Sequence, residues 1–357
     1  MKQNIKFYIG LDVHKKKTTY VVRDNMGYIP LQGETATHYK DLFPPLEPYL
    51  NHAIIGLEAS TSYYTVYQNF LHNGYQIKVA NTIQLRQLIA KNDTLDAKRL
   101  ADMLRLGTFP CSYIPPEKMQ HLRELIQLRH SIMEEKTRSK NRIHAILDKN
   151  HKITLPSTKP FSKKWKQALQ QYIAAAPISL ELRHAYDHYQ YLEQKTTQLD
   201  QELIGYTRKN WNKEYLLLKS VPGIGSLLAC YLIANIHPIT RFKNKRKLRR
   251  YAGVIPVYKQ SGNHISKGHI PKTSSRKLLR WALIQAANSI AKTNTRLARY
   301  YKKKKRQKNN ASIAKVAVAS SLIDIIYKVL TNKQPYVIKM ENKKLRLMHM
   351  NKMVNVG

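Results

Sequence analysis

Apolar positions along the chain follow two different periods. Residues 5–24 hold two β-rich runs, around Phe7-Tyr8-Ile9-Gly10-Leu11 and Thr18-Thr19-Tyr20-Val21-Val22, on either side of the polar turn His14-Lys15-Lys16-Lys17. They predict an opening hairpin, with a third short strand near Tyr28–Gln32. Ala53–Leu57 is an unbroken apolar run that suits a buried parallel strand. Thr61–His72 places Tyr64, Tyr67, Phe70 and Leu71 on one helical face, and Gln76–Val79 reads as another strand. A helix from about Ile83 to Leu106, interrupted near Asn92, completes an alternation of strands and helices. The pattern predicts an α/β domain over 1–114, ended by Pro115-Pro116.

After the prolines the period becomes helical. Met119, Leu122, Ile126, Met133, Ile143, Ile146 and Leu147 predict a helix over Glu117–Leu147, and a second long helix is expected from Leu180 to Tyr206. A Pro- and Lys-rich connection, Ile153–Lys164, lies between them. This suits a coiled-coil-like helical arm over 115–215, or equally a helical hairpin within one larger domain. A third, mainly helical domain is expected over 216–336. It opens at Val221-Pro222-Gly223-Ile224-Gly225 and closes on the apolar helix Ala311–Leu330. A basic polar tail, 337–357, follows. The fold class is therefore α/β plus all-α.

Charge changes the picture most. The chain has 357 residues, with 62 Lys and Arg against 22 Asp and Glu, for a formal net charge of +40. Such an excess repels itself unless a polyanion neutralises it, which points to nucleic acid and away from small-molecule metabolism. An acidic membrane surface is the competing partner, but no apolar run is long enough for a spanning helix. Met1–Lys6 leads directly into strand-like sequence with no signal-peptide pattern. Two cysteines, Cys111 and Cys230, exclude a disulfide framework and suit a reducing cytoplasm.

The acids are unevenly placed. Twenty of the 22 lie at or before Glu214, and Tyr215–Ile323 has none while carrying 24 Lys or Arg. One part of the chain owns carboxylates and the other owns phosphate contacts. The basic run Tyr301–Lys308 adds to the second.

Within the first part, Asp12 lies just inside the first strand, Glu58 ends the later buried strand, and Asp93 and Asp96 share a helical face at i, i+3. Four converging carboxylates repel one another unless cations intervene. With divalent metal they would activate a water or hydroxyl for in-line displacement at phosphorus. All-oxygen donors select Mg2+ or Mn2+, and no His or Cys cluster has zinc spacing. His14 and Lys15 are expected to meet phosphate or support Asp12, whereas Asp102 reads as a helix-face charge.

In the second part, Pro222-Gly223-Ile224-Gly225 before an apolar helix reads as a helix-hairpin-helix-like turn, with Gly223 and Gly225 letting backbone amides approach phosphate. Arg249, Arg250, Lys272, Arg276, Lys277 and Arg280 are the expected phosphate contacts. Ser261, in Gln260-Ser261-Gly262, is a turn residue by default. As a nucleophile it needs a base or metal, and no acid lies within 40 residues of it.

These motifs together resemble the DEDD-type insertion-sequence transposases of the IS110/IS1111 class. The resemblance rests on Gly10–Lys15, Glu58-Ala59, Asp93–Ala97, Val221–Gly225, Tyr251-Ala252-Gly253, Ser261-Gly262, Leu278-Leu279-Arg280 and Gln334-Pro335-Tyr336. Asn92 and Thr61 depart from it, where Thr and Gly are more usual. The resemblance implies a RuvC-like domain of RNase H fold, a coiled-coil arm and a compact helical transposase domain. It implies cutting and rejoining of double-stranded DNA at element ends and target, guided by a structured noncoding RNA that pairs with both. Asp12, Glu58, Asp93 and Asp96 would hold metal, and Ser261 would form a phosphoserine link to DNA. The family arrangement further implies a homo-oligomer, dimer or tetramer, with a composite site, in a prokaryotic cytoplasm at the nucleoid. Two other readings compete: a RuvC-like junction resolvase or nuclease using water, and a non-catalytic nucleic-acid-binding protein.

Overall fold

The computed structural model describes residues 5–60, 62–88, 96–149, 155–175, 180–255, 260–261, 264–265 and 276–337. The chain divides into two compact units, Met1–Pro115 and Pro116–Gly357.

The first unit is built on a five-stranded sheet of order β3-β2-β1-β4-β5. Strands β1 (Phe7–Val13), β2 (Lys17–Asp24) and β3 (Leu31–Ala36) form an antiparallel meander. Strands β4 (Ala53–Glu58) and β5 (Gln76–Ala80) continue from β1 in parallel. The third strand thus starts later than its sequence pattern suggested.

Period-two alternation sorts the strand residues. Ile9, Leu11, Ile55 and Leu57 lie in one core with Leu42, Leu46 and Leu50 of α1 (Tyr39–Leu50) and Val66 and Phe70 of α2 (Tyr63–His72). Ile54 lies in a second core with Leu85 of α3 (Thr82–Leu88) and Leu100 and Leu104 of α4 (Ala97–Arg105).

Helix α1 was not expected, because Pro44, Pro45 and Pro48 lie inside it. The stripe Leu42, Leu46, Leu50, spaced every four residues and at most 2% exposed, holds it on the sheet. The expected long helix over 83–106 is two helices, α3 and α4, and the interruption near Asn92 falls outside the described residues.

The second unit is helical. Helix α5 (Glu117–Lys149) pairs with α7 (Leu180–Lys219). Tyr206 Oη donates to Lys118 O, Arg129 meets Asp200, and Ser139 Oγ donates to Ala185 O, so the two helices run antiparallel. Buried positions fall at intervals of three or four within two stretches of α5 (119, 122, 126, 129 and 139, 143, 146) and along α7 (182, 185, 189, 192, 196, 199, 203, 207, with Tyr186 beside them). Helix α7 runs past its expected end at Tyr206 and is broken at Trp211 (φ −141°, ψ 46°). Helix α6 (Lys163–Ala175), absent from the sequence reading, seats Trp165 and Leu169 against Ile143, Tyr186 and Tyr189.

The remaining elements are α8 (Ser226–Ile236), α9 (Lys245–Ala252), the short strands β6 (Gln260–Ser261) and β7 (His264–Ile265), α10 (Lys277–Ala291), α11 (Arg296–Lys308) and α12 (Ala311–Asn332). Met119, Leu122, Ile126 and Leu203 share one core with α8, α10 and α12. Among the described residues no helix is long and apolar enough to cross a membrane.

Candidate active site

Parallel pairing of β1 with β4 fixes the first pair of acids. Gly10 is opposite Gly56 and Leu11 opposite Leu57, so Asp12 and Glu58 occupy the next step of the same register. Both belong to the face that carries Gly10, Ile54 and Gly56, against which α4 packs.

The glycines explain how α4 comes so near. A Cβ on Gly10 would lie 1.9 Å from Ala97 O and 2.8 Å from Ala101 N, and one on Gly56 would lie 2.7 Å from Phe109 and 2.8 Å from Leu104. The repeated Gly-Leu-acid triplet is therefore a geometric unit. Glycine admits the helix, leucine faces the opposite core, and the acid emerges at the strand end.

The first turn of α4, lying over Gly10, begins at Asp96. Asp96 is its N-cap, accepting from Arg99 N at 2.8 Å through Oδ1. Asp12 and Glu58 thus stand at neighbouring strand ends, and Asp96 caps the helix whose first turn lies over Gly10. Asp93 lies outside the described residues.

Asp12 is partly exposed, and His14 Nε2 lies 3.3 Å from its Oδ2. The imidazole is exposed, as is Lys15 in the tight turn that follows. Asp102 behaves as a structural charge. Arg23 of β2 reaches it at 2.9 Å and Arg105 at 3.2 Å, tying α4 to the sheet.

The donor set suits a hard cation: carboxylate oxygens, with no described Cys or His cluster among them. Among the described residues no three acidic, His or Cys side chains converge closely enough to hold a metal by themselves.

In the second unit the expected phosphate contacts separate into different settings. Gly223 has φ +83°, and a Cβ there would lie 2.6 Å from Ile290 and 2.8 Å from Ala286 O. The turn needs glycine to pack on α10. Gly225 caps α8 with open space at its Cα.

Arg249 is bonded to Asp324 of α12, the acid just past the acid-free stretch, and Lys245 approaches the same carboxylate at 3.8 Å. Arg250 and Lys277 are exposed, Arg280 is half-buried, and Arg276 is the exposed N-cap of α10. Lys272 lies outside the described residues. Ser261 pairs with His264 in the antiparallel strands β6 and β7. Ser261 is therefore a strand residue rather than the turn residue its sequence setting suggests.

Two family models match the chain. A DEDD transposase model of the IS110 type, described as Transposase, spans residues 9–152, and the model described as Transposase IS116/IS110/IS902 family spans 215–302. The chain belongs to these insertion-sequence transposases. The transposase for insertion sequence element IS1328 of Yersinia enterocolitica is 21% identical over 236 residues, covering 66% of this chain and 70% of that protein. The transposase for element IS1111A of Coxiella burnetii is 22% identical over 281 residues, covering 76% and 75%. The pilin gene-inverting protein of Moraxella bovis is 30% identical over 156 residues, covering 42% and 48%. Membership makes this transposase a DNA recombination enzyme that binds DNA, and its DEDD domain implies dependence on a divalent metal ion.

In the sequence of this transposase the glycines at 10 and 56 are visible beside the acids, but not their role in bringing α4 over the strands. The signal available was the occurrence of Gly-Leu-acid twice, at 10–12 and 56–58. Nor does the sequence show Asp324 as the partner of Arg249, since 75 residues separate the two.

Proposed function

We propose that this transposase cuts and rejoins DNA by attack of the Ser261 hydroxyl on a scissile phosphodiester, with Asp12, Glu58, Asp93 and Asp96 as holders of Mg2+ or Mn2+. The observation that carries this reading is the matched register of Asp12 and Glu58, with α4 and its Asp96 cap admitted beside them by Gly10 and Gly56. The strand order, with an antiparallel meander continued by parallel strands, supports a RuvC-like domain. The three-four burial spacing on α5 and α7 supports a coiled-coil arm over 115–215, followed by a serine-bearing domain over 216–336.

Divalent metal at the carboxylates would neutralise their mutual repulsion and supply Lewis acidity. Ser261 has no acid in its own stretch of sequence, so its proton acceptor is to come from that set, in the same chain or in a second copy of a homo-oligomer. The hydroxyl oxygen bonds to phosphorus as the DNA 3′ or 5′ oxygen departs with a proton. The phosphodiester is conserved for rejoining.

A structured noncoding RNA that pairs with donor and target DNA is the proposed guide. The net charge of +40 supplies the phosphate-binding capacity for both nucleic acids. A prokaryotic, nucleoid-associated location in the cytoplasm fits these partners.

The test is metal-dependent cleavage of a duplex spanning the element end. Activity should appear with Mg2+ or Mn2+, vanish in EDTA, and vanish in Asp12→Asn. Normal cleavage in EDTA would refute the reading.

A further inference from the structure

The mechanism leaves one buried titratable group unused. Tyr251, in the last turn of α9, has a buried hydroxyl facing the Arg241 side chain. Cations gather round it. The Arg241 guanidinium lies 4.7 Å from its ring centroid and 4.4 Å from that of Phe242, and the Arg276 guanidinium lies 5.7 Å from the Tyr251 ring. Arg123 of α5 is a third positive charge acting on the phenol. Burial alone would push the Tyr251 phenol up, but Arg276, Arg241 and Arg123 together hold it below the usual tyrosine range.

Two of these arginines are fixed by one helix end. Arg123 Nε donates to Ala234 O at 2.7 Å, and Arg241 Nε donates to Ile236 O at 3.3 Å, with a further bond from Arg241 to Asn235 O. All three acceptors are last-turn carbonyls of α8, where cations are favoured. The guanidinium groups are therefore oriented before any ligand arrives.

The place is also mechanically defined. Arg276 N donates to Tyr251 O at 3.4 Å, so the two stems of the segment carrying Ser261 meet at this point.

We propose that Tyr251, Arg123, Arg241 and Arg276 form a seat for one phosphodiester of a nucleic-acid backbone, at the base of the Ser261 segment. The exposed Arg276 fork matches two oxygens of a phosphate, while Arg241 and Arg123, whose Nε donors are held by α8 carbonyls, add fixed positive charge behind it around the Tyr251 ring. The inference rests on the nucleic-acid reading of the chain and is independent of the serine nucleophile. Its substance is a single fixed phosphate position, as distinct from diffuse attraction by a basic surface.

The test uses the full chain carrying 13C-labelled tyrosine. The Tyr251 ring signal, assigned by its loss in Tyr251→Phe, should move when a short DNA duplex, an RNA duplex of the same sequence, or inorganic phosphate is added. The duplex that moves it at the lower concentration identifies the backbone recognised. Movement with inorganic phosphate alone upholds the seat while contradicting the nucleic-acid reading. Arg276 is exposed, so Arg276→Gln should fold normally and lower affinity about tenfold, as loss of one charge-assisted contact implies. Arg276→Lys should recover only part of that loss, because ammonium lacks the fork. A Tyr251 signal unmoved at saturating duplex and phosphate, or full recovery by Arg276→Lys, would overturn the proposal.

Discussion

Asp12 and Glu58 stand at equivalent heights on neighbouring parallel strands, each one residue beyond the Leu11–Leu57 step and two beyond a glycine. The relationship makes the two acids a pair fixed by backbone hydrogen bonding, not by side-chain packing. It also makes the glycines as necessary as the acids. Gly10→Ala forces a Cβ to within 1.9 Å of a backbone carbonyl on α4, so the helix has to move. We expect a stability loss of about 1–3 kcal/mol, typical of overpacking, together with loss of cleavage. Urea unfolding of Gly10→Ala with an unchanged midpoint would contradict this.

The acids themselves should behave differently from the glycines. Glu58→Gln should leave the urea midpoint and DNA affinity close to those of the parent chain while strand cleavage falls by at least about a hundredfold, the scale expected when electrostatic support of the transition state is lost. A variant that cleaves normally would place the chemistry elsewhere.

Arg249 and Arg250 are adjacent in sequence and unlike in setting. Arg249 is held by Asp324, whereas Arg250 is exposed. Arg250→Gln should weaken DNA binding more than Arg249→Gln. It should reduce the log-log salt slope by roughly 0.7–0.9 if it meets one phosphate. Asp324→Asn should release Arg249 and strengthen binding. Equal effects from the two arginine variants, measured by titration across a salt series, would show that the Asp324 contact does not matter.

Much of this architecture was legible in the sequence, and the exceptions have physical causes. The strands β1, β2, β4 and β5 and the long helices showed their periods directly. Helix α1 was hidden because three prolines outweighed the Leu42-Leu46-Leu50 stripe, a case of tertiary burial overriding propensity. Helix α6 was hidden by the Pro- and Lys-rich sequence before it. The four acids could be named from their motifs, but their mutual placement depends on strand register and on α4 packing over glycine, which no single segment encodes. Tyr251 could not be foreseen, since its arginines come from positions 123, 241 and 276.

The far end of the α5–α7 pair carries its own pH dependence. Burial would raise the Glu193 carboxyl, but hydrogen bonds from Lys166 at 2.7 Å and Tyr189 at 2.8 Å, with Lys136 nearby, bring it below the usual carboxylate range. A depressed folded pKa stabilises fully above the unfolded value of 4.5, and the benefit is lost as pH falls through the folded value. Thermal melting should therefore show Glu193→Gln to be destabilised near neutrality, with the gap to the parent chain closing in acid. A gap that stays constant with pH would mean that the carboxylate charge is not what matters there.

The central claim is that a serine hydroxyl takes the DNA strand covalently with the help of the carboxylate set. The most direct measurement is the protein–DNA adduct on a denaturing gel, using end-labelled element DNA and Mg2+. The account predicts an adduct with the parent chain, none with Ser261→Ala or Asp12→Asn, and recovery of some adduct when those two variants are mixed, if the oligomer shares its sites. Cleavage by Ser261→Ala at the parent rate, with no adduct from either chain, would contradict it and make water the nucleophile.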